Sequence, residues 1–465
     1  MIIFSIILFF LLGFSVLNLI SDQFSIGEKI GYSMLIGLPL ATFIFFVLSL
    51  LKVRVTAELL IYLSLTLIII INIINFKSLR SLITNIKKTN FSGTNFRSYN
   101  MVWLGLLLVA GYIVYGITCK NLYWPAFAYD SVAGYDLMAK VSASEGTILN
   151  SLFDENGRAI DGSAHRIIYP PNVPVSMAIA YLNGLELPKI IISLFYIFFL
   201  ISLYFISIRY NTKTGGAIII FIAVITPEFT AHASLAMTNM PHAIYVGLGY
   251  IALWIWITNN DNKYLILSAV FLAINTWTRT EGILFSFVAG LVVLYYTVRS
   301  KQYMRLIVFS LIVLAPYIIW NGFLFTYNIK AAVSQQRLLV DHLFWNYDKM
   351  ARLFSNLNVI FFKTTVYYGA ILYMFFGMLL LNSVNIFRKE QLPLLFLIFF
   401  SWLLYMFFYY QIDYSWDSLD NVIQYSYKRF FFCFIPLMAF YIGSNKFFRD
   451  LLYKFEDYIT LKNLK

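Results

Sequence analysis

Long apolar runs, separated by short polar segments, make up most of this 465-residue chain. A helix needs about 20 mostly apolar residues to cross a bilayer. The first run has no basic leader and no small-residue cleavage site, which favours a retained span over a signal peptide. We therefore predict an all-α polytopic membrane protein with about thirteen spans: 2–20, 30–51, 59–76, 101–118, 190–208, 215–229, 242–258, 264–277, 282–298, 306–323, 358–382, 391–410 and 430–445. The run 264–277 is short enough to be a partial span.

The composition agrees with a membrane protein and disfavours several other classes. Charged residues make up 12% of the chain, against about 25% in ordinary soluble domains. Hydrophobic residues make up 60% and aromatic residues 19%, and aromatic rings suit membrane interfaces. These values argue against a soluble enzyme, a disordered protein and a nucleic-acid binder. Cys119 and Cys433 define neither a disulfide framework nor a metal cluster, and the sequence leaves their pairing open.

The distribution of Lys and Arg predicts how the chain is oriented. The formal net charge is +12, and nineteen of the 34 Lys and Arg residues fall in loops on one side of the predicted spans. The positive-inside rule makes that side cytoplasmic. The acidic segment 119–171 is then extracytoplasmic, and the tail 446–465 is cytoplasmic. Lys52 and Arg54 fall on the outer side, against the rule.

The segment 119–189 is the longest outer loop and carries the first candidate for chemistry. Asp130 follows an aromatic run directly after a span, so we expect it at the membrane surface close to apolar groups. Desolvation at such a place makes a carboxylate a stronger proton acceptor. The alternative is an N-cap for a helix over 131–144, because Asp is a favoured capping residue. Asp136 and Lys140, four residues apart, are best explained as a surface ion pair.

The rest of this loop runs through His165 and Tyr169 into a proline-rich stretch. The prolines break any helix, and the apolar stretch 172–185 is too short to span, so it predicts a re-entrant or interfacial helix. His165 is either a candidate substrate-binding residue or a loop histidine that makes ordinary hydrogen bonds.

Charged residues at three other span ends are further candidates. Arg279 and Glu281 lie between two apolar runs, where ionisable residues are costly and suggest function. The alternative is that the charges of Arg279 and Glu281 neutralise each other in a structural ion pair. Lys428 and Arg429 precede the last span and could hold a phosphate group or anchor the helix at the interface. The loop 324–357, which includes Arg337, is cationic and suits an anionic ligand or lipid headgroups.

Taken in order, these segments resemble the C-type glycosyltransferase superfamily (GT-C). The closest branch resembles bacterial relatives of the protein mannosyltransferases and the lipid A aminoarabinose transferase, a glycosyltransferase family 39-like group. In that family the first long outer loop opens with an Asp after an aromatic residue and continues into an aromatic and basic stretch. The matching residues are Tyr129, Asp130, Tyr135 and Lys140.

Three later features continue the resemblance, which covers residues 101–445. A His-x-x-x-Tyr-Pro segment leads into the interfacial helix, and Arg-x-Glu-Gly and an Arg before a Pro-containing last span follow. They are matched by His165, Tyr169, Pro170, Pro174 and Gly184, by Arg279, Glu281 and Gly282, and by Arg429 and Pro436. Asn239-Met240-Pro241 stands where the family has Asp-x-Pro, which is a departure.

The resemblance implies a transfer reaction on the extracytoplasmic side of a membrane, and the membrane it implies is the bacterial plasma (inner) membrane. A polyprenyl-phosphate sugar is the donor, and a lipid, glycan or protein hydroxyl or amine is the acceptor. Asp130 is the expected general base, and Arg429, helped by Lys428 or Arg279, stabilises the leaving phosphate. His165 and Tyr169 are expected to line the pocket for the sugar or the acceptor. No nucleotide-binding motif is present in the sequence, in keeping with a lipid-linked donor.

The same resemblance divides the chain and bears on cofactors. Residues 1–100 are N-terminal transmembrane helices of unknown role, residues 101–445 are the catalytic core, and residues 446–465 are the tail. No cofactor is expected. Asn239 lacks the charge of a strong hard-cation ligand, which favours metal-independent catalysis and leaves a divalent metal open.

Two other functions compete with glycosyl transfer by this family. A transporter or flippase of lipid-linked glycans predicts charges along a pathway at the membrane midplane, whereas here the charges lie at span ends. An O-antigen polymerase or ligase relies on arginine-rich outer loops, and the cationic loop 324–357 keeps that alternative open.

Overall fold

The structure is a computed structural model. It describes residues 1–76, 100–153, 169–329, 336–338, 346–363, 365–388, 390–414 and 418–462. Within those residues, nine helices are long and apolar enough to cross a membrane. A tenth is added by the pair Leu419–Ser444 and Lys446–Tyr458, which is bent by 53°. The chain is therefore a helical protein with many membrane-spanning segments.

Nine of the predicted spans correspond to the nine long helices, and the run 430–445 corresponds to the bent pair. The other three do not form long helices. The nine long helices are Ile2–Ile20, Ile26–Leu50, Ala57–Ile74, Asn100–Tyr123, Ile190–Ser207, Asn239–Asn259, Gly282–Ser300, Tyr303–Thr326 and Leu392–Gln411. The runs predicted at 215–229 and 358–382 form shorter helices instead, Lys213–Ile225 and Ile371–Leu381. The run 264–277 forms the 15-residue helix Asn262–Thr276, which fits the partial span that its length allowed. The number of thirteen full spans is thus not confirmed.

Short elements connect the spans. The short α-helices are Asp136–Glu145, Asn172–Leu182, Pro227–His232, Tyr347–Asn358, Thr365–Tyr368, Leu419–Val422, Lys428–Phe431, Ile435–Ser444 and Lys446–Lys462. Wider π-helical turns cover Ser131–Tyr135, Val359–Lys363 and Ile423–Tyr427, and 3₁₀ turns cover Ser383–Asn385 and Phe432–Phe434. Two three-residue strands, Gln336–Leu338 and Ile412–Tyr414, pair antiparallel, with Arg337 opposite Asp413.

Close backbone contacts hold the first two helices of the bundle to each other. The first two helices approach so closely that a Cβ on Gly13 would lie 1.8 Å from the Ser33 carbonyl oxygen, and one on Gly37 would lie 1.8 Å from that of Phe9. Small residues at such a crossing are typical of membrane helices, because the backbones gain van der Waals contact. The helix Asn239–Asn259 is buried throughout its apolar part and forms the centre of the bundle.

Side-chain contacts define two ends of the bundle. At one end, which we call the Asp130 end, Trp277 Nε1 donates to Thr42 Oγ1 at 3.0 Å. There Arg54 also donates to the Ser144 carbonyl at 3.2 Å, which puts the connection containing Lys52 and Arg54 beside the predicted outer loop. At the opposite end, Glu28 Oε1 accepts from Arg209 and from Tyr264, both at 2.8 Å.

Two helices predicted within the outer loop are present. The helix expected over 131–144 forms as the π-helical turn Ser131–Tyr135 followed by Asp136–Glu145. The short helix expected over 172–185 spans Asn172–Leu182, and most of it is buried inside the protein rather than half-exposed at an interface. Asn172 Nδ2 donates to Thr278 Oγ1 at 2.8 Å, which ties this helix to the turn that carries Arg279.

The orientation of the bundle in the membrane stays a prediction and is open to a labelling test. We expect a cysteine at position 151, at the Asp130 end, to react with a membrane-impermeant maleimide added outside intact cells. A cysteine at the exposed Ser300, where a spanning helix ends at the opposite end, serves as the matched control and should react only after lysis. Both variants are made after Cys119→Ala and Cys433→Ala. Labelling at 151 only after lysis would reverse the orientation.

Candidate functional site

An ion pair joins Asp130, the predicted proton acceptor, to Arg429, the predicted phosphate-binding residue. Arg429 Nη1 donates to Asp130 Oδ2 at 3.0 Å, across 299 residues of sequence. The side chains are 32% and 22% exposed, so a substrate can reach both from solvent. Asp130 precedes the turn Ser131–Tyr135 without a side-chain capping hydrogen bond to it. The N-cap alternative for Asp130 therefore has no support in this geometry.

Arg279 forms a second, buried ion pair beside the first. Its Nη2 and Nε atoms donate to the two carboxylate oxygens of Glu281 at 3.0 and 3.2 Å, and its Nη1 donates to Asn239 Oδ1. Arg279 is 5% exposed. A guanidinium held on both edges in this way is fixed in orientation, because its planar donors match a carboxylate.

The pKa of Glu281 follows from this pairing. Burial alone would raise the pKa of the Glu281 carboxyl, but the charge of Arg279 and its hydrogen bonds outweigh burial and lower the pKa below the usual value. Glu281 is therefore ionised at neutral pH, and the pair carries no net charge.

Aromatic rings connect the two ion pairs. The guanidinium carbon of Arg279 lies 4.8 Å from the ring centre of Phe430, the residue after Arg429, and 5.8 Å from that of Tyr169. The ring of Tyr169 lies 6.2 Å from that of Tyr135. Seven predicted site residues thus form one connected group, which we call the Asp130 network: Asp130, Tyr135, Tyr169, Asn239, Arg279, Glu281 and Arg429.

Tyr135 contributes a donor to this network. Its hydroxyl lies 3.2 Å from Thr238 Oγ1, next to Asn239 in the sequence. Burial raises the pKa of the Tyr135 phenol, although the charge of Arg279 opposes this. The phenol is therefore protonated at neutral pH and can donate a hydrogen bond.

Two buried residues extend the network and were missed by the sequence analysis. His232 Nε2 lies 3.2 Å from Glu228 Oε1, and His232 Nδ1 lies 3.5 Å from Asn239 Nδ2. The imidazole also stacks on Phe432, with 4.6 Å between the ring centres. The Asn239 amide nitrogen can only donate, so Nδ1 faces a donor and Nε2 faces a carboxylate acceptor. The spacing of Glu228 and His232, one helical turn apart after Pro227, was the available signal.

Lys140 and Lys428 make their contacts outside this network. Lys140 pairs with Asp136 at 2.9 Å, as the spacing predicts. The ammonium of Lys428 lies 4.3 Å from the ring centre of Tyr367, and Tyr129 is 69% exposed. Arg337 lies on the short strand opposite Asp413. His165 lies outside the described residues.

Metal binding was left open by the sequence. In the part of the chain that the structure describes, no three His, Cys, Asp or Glu side chains are grouped so that they could hold a metal ion. Metal-independent chemistry stays a prediction.

Comparisons with protein families, with curated proteins and with solved structures find no match to this chain. The resemblance to the C-type glycosyltransferases therefore rests on the order of the motifs quoted above, and any function built on it is a proposal.

The pairing of Glu281 predicts a stability difference that depends on pH. We expect Glu281→Gln to lower the free energy of unfolding by about 1–3 kcal/mol at pH 7, because Arg279 loses its charged partner. The wild-type pKa is depressed, so this contribution is complete above the unfolded pKa of about 4.3 and is lost as the pH falls further. Melting temperatures in detergent from pH 7 to pH 3 test this.

The matched control is Glu186→Gln, an exposed carboxylate in the connection after the helix Asn172–Leu182. Its melting temperature should follow that of the wild type across the whole range. A Glu281→Gln difference that stays constant down to pH 3 would contradict the assignment of an ionised pair.

Proposed function

We propose that the protein is an integral-membrane glycosyltransferase that moves a sugar from a polyprenyl-phosphate donor to an extracytoplasmic acceptor, with inversion at the anomeric carbon. The observation that carries the proposal is the pairing of Asp130 with Arg429, both partly exposed, next to the buried Arg279. A displacement from a sugar phosphate needs a proton acceptor and a cation for the leaving phosphate, and this pair supplies one of each.

The proposed reaction is a single displacement. The acceptor oxygen or nitrogen forms a bond to the anomeric carbon while the bond from that carbon to the phosphate oxygen breaks. The acceptor proton goes to Asp130, and the bonding electrons leave with the polyprenyl phosphate. In the structure Arg429 pairs with Asp130. A donor phosphate that binds Arg429 competes for this cation and leaves the carboxylate able to accept a proton.

The contacts of Arg279 and Lys428 distinguish their roles from that of Arg429. Arg279 is neutralised by Glu281 and bound to Asn239, so we assign it the role of holding Phe430, and through it Arg429, in place. Lys428 lies over Tyr367. We therefore assign the phosphate to Arg429 ahead of Lys428 and Arg279.

Two further features agree with this function. The ordered resemblance of residues 101–445 to the C-type glycosyltransferases accounts for the positions of Asp130, Arg279 and Arg429 together. Asn239, Arg279 and Glu281 lie at helix ends, whereas a transport pathway for a lipid-linked glycan predicts charges at the midplane.

A transfer assay tests the proposal. Purified protein in lipid nanodiscs is incubated with synthetic polyprenyl-phosphate hexoses and pentoses of known anomeric configuration, together with lipid, glycan and peptide acceptors. We expect a product in which the configuration of the transferred sugar is inverted. A product with retained configuration would contradict the single displacement, and translocation of the intact donor in liposomes would favour the transporter.

Arg429→Ala is expected to raise the KM for the donor by about 10–100-fold, since one charge-assisted contact to phosphate contributes about 1.5–3 kcal/mol. Titration of a non-hydrolysable polyprenyl phosphonate checks the same loss in binding. Arg449→Ala, in the C-terminal helix Lys446–Lys462, is the control and should bind like the wild type. Equal losses of binding affinity in both variants would show that Arg429 does not bind the donor phosphate.

A further inference from the structure

Two lysines outside the Asp130 network converge on one serine and one aromatic ring. Lys120, in the last turn of Asn100–Tyr123, has its Nζ atom 3.2 Å from Ser234 Oγ. Lys189, directly before Ile190–Ser207, has its Nζ atom 3.5 Å from the Ser234 carbonyl oxygen. Both ammonium groups lie 5.6 Å from the ring centre of Phe127. The two cations are therefore close neighbours.

No carboxylate balances this charge in the described part of the chain. Within the ranges of the structure given above, neither ammonium forms a salt bridge with Asp or Glu. Lys189 is only 1% exposed. Burial, and then the charge of Lys120, lower the pKa of Lys189 to about 8. A buried cation next to another cation is unfavourable unless an anion joins them.

The surroundings fit a phosphate group at the membrane surface. Lys189 lies at the N-terminus of an 18-residue helix, where the helix dipole favours an anion. Asn121 Nδ2 donates to Ser193 Oγ at 2.7 Å and to the Ala233 carbonyl at 2.8 Å, which fixes the two lysine-bearing elements against the Ser234 turn. Lys120 is exposed and Phe127 is 54% exposed, so a ligand can approach the site from their side.

We propose that Lys120 and Lys189 form a phosphate-binding site at the membrane surface, distinct from the Asp130 network. The ligand is a phosphate monoester or diester, carried by a lipid headgroup or present as a free ion. The site shares no side chain with the Asp130 network, and it does not depend on glycosyl transfer.

The test measures ligand-induced stabilisation of the full chain in an uncharged detergent at pH 7. One arm adds phosphatidic acid, a second adds inorganic phosphate at matched ionic strength, and phosphatidylcholine is the blank. We expect a rise of several degrees in the wild-type melting temperature with phosphatidic acid. A rise with phosphatidic acid alone would show that the site binds a lipid headgroup. A rise with both probes would show that it binds a phosphate group whether or not a lipid carries it.

Variants separate this site from general lipid binding. Lys189→Met and Lys120→Met should lose the ligand-induced rise and bind phosphatidic acid about ten-fold more weakly by native mass spectrometry, a loss of about 1.4 kcal/mol. Lys120 is exposed, so its replacement tests the site even where the buried Lys189→Met fails to fold. Lys454→Met, exposed on the helix Lys446–Lys462, is the control and should respond like the wild type. No rise with either probe, or an equal rise in Lys120→Met and wild type, would overturn the site.

Discussion

Asp130→Asn is expected to lower the rate of sugar transfer by about 100-fold or more, while the KM for the donor changes little. The amide keeps the shape of the side chain, and its oxygen can still accept from Arg429, which donates to Asp130 Oδ2 at 3.0 Å in the wild type. The amide cannot take the acceptor proton. A positioned general base contributes about 10²–10⁴-fold, which sets the size of the loss. Steady-state kinetics in nanodiscs give kcat and KM separately.

A neighbouring carboxylate provides the control for Asp130. Asp136 lies in the same loop and is bound to Lys140 at 2.9 Å and to the Tyr181 hydroxyl at 2.6 Å. These contacts give it a structural role, so folded Asp136→Asn should transfer sugar within a few-fold of the wild-type rate. Equal kcat values for Asp130→Asn and wild type would remove Asp130 as the base.

Arg279→Met is expected to destabilise the protein by about 3–5 kcal/mol, because it leaves the Glu281 carboxylate without its cation in a largely buried site. It also removes the donor to Asn239 and the contact with Phe430. Chemical denaturation in mixed micelles measures the loss. Arg352→Met, which breaks the exposed pair with Asp420, is the control and should cost no more than about 1 kcal/mol.

A double variant shows whether this loss belongs to the pair. With Glu281→Leu added, Arg279→Met should recover part of the stability, since the unpaired charge is gone. Additive losses in the double variant would show that the two residues do not stabilise each other.

Hydrophobic runs predicted where helices lie better than how long they are. The run 215–229 contains Thr226 and Pro227, and the structure ends one helix at Ile225 and begins another at Pro227. Pro lacks an amide hydrogen and is favoured at the start of a helix. In the run 358–382, Gly369 has a φ of 55° and interrupts the helix. Apolar residues in turns look like spanning residues in a hydropathy count.

Local pairs in the site could be predicted, and distant contacts could not. Arg279 and Glu281 are two residues apart, and Asp136 and Lys140 are four apart, so their pairing follows from spacing. The contact of Asp130 with Arg429 depends on how the bundle brings the start of an outer loop to the last span. Lys428 and Arg429 look equivalent in sequence, but consecutive helical residues point about 100° apart. Arg429 pairs with Asp130, whereas Lys428 lies over the ring of Tyr367.

The release of polyprenyl phosphate tests the central claim most directly. Purified wild-type protein is given a polyprenyl-phosphate sugar with an acceptor, and the freed lipid phosphate is measured against time by mass spectrometry. We predict one polyprenyl phosphate released for each sugar transferred, with the release nearly lost in Asp130→Asn. Intact donor after incubation with every sugar and acceptor class, or release that Asp130→Asn supports equally well, would contradict glycosyl transfer at this site.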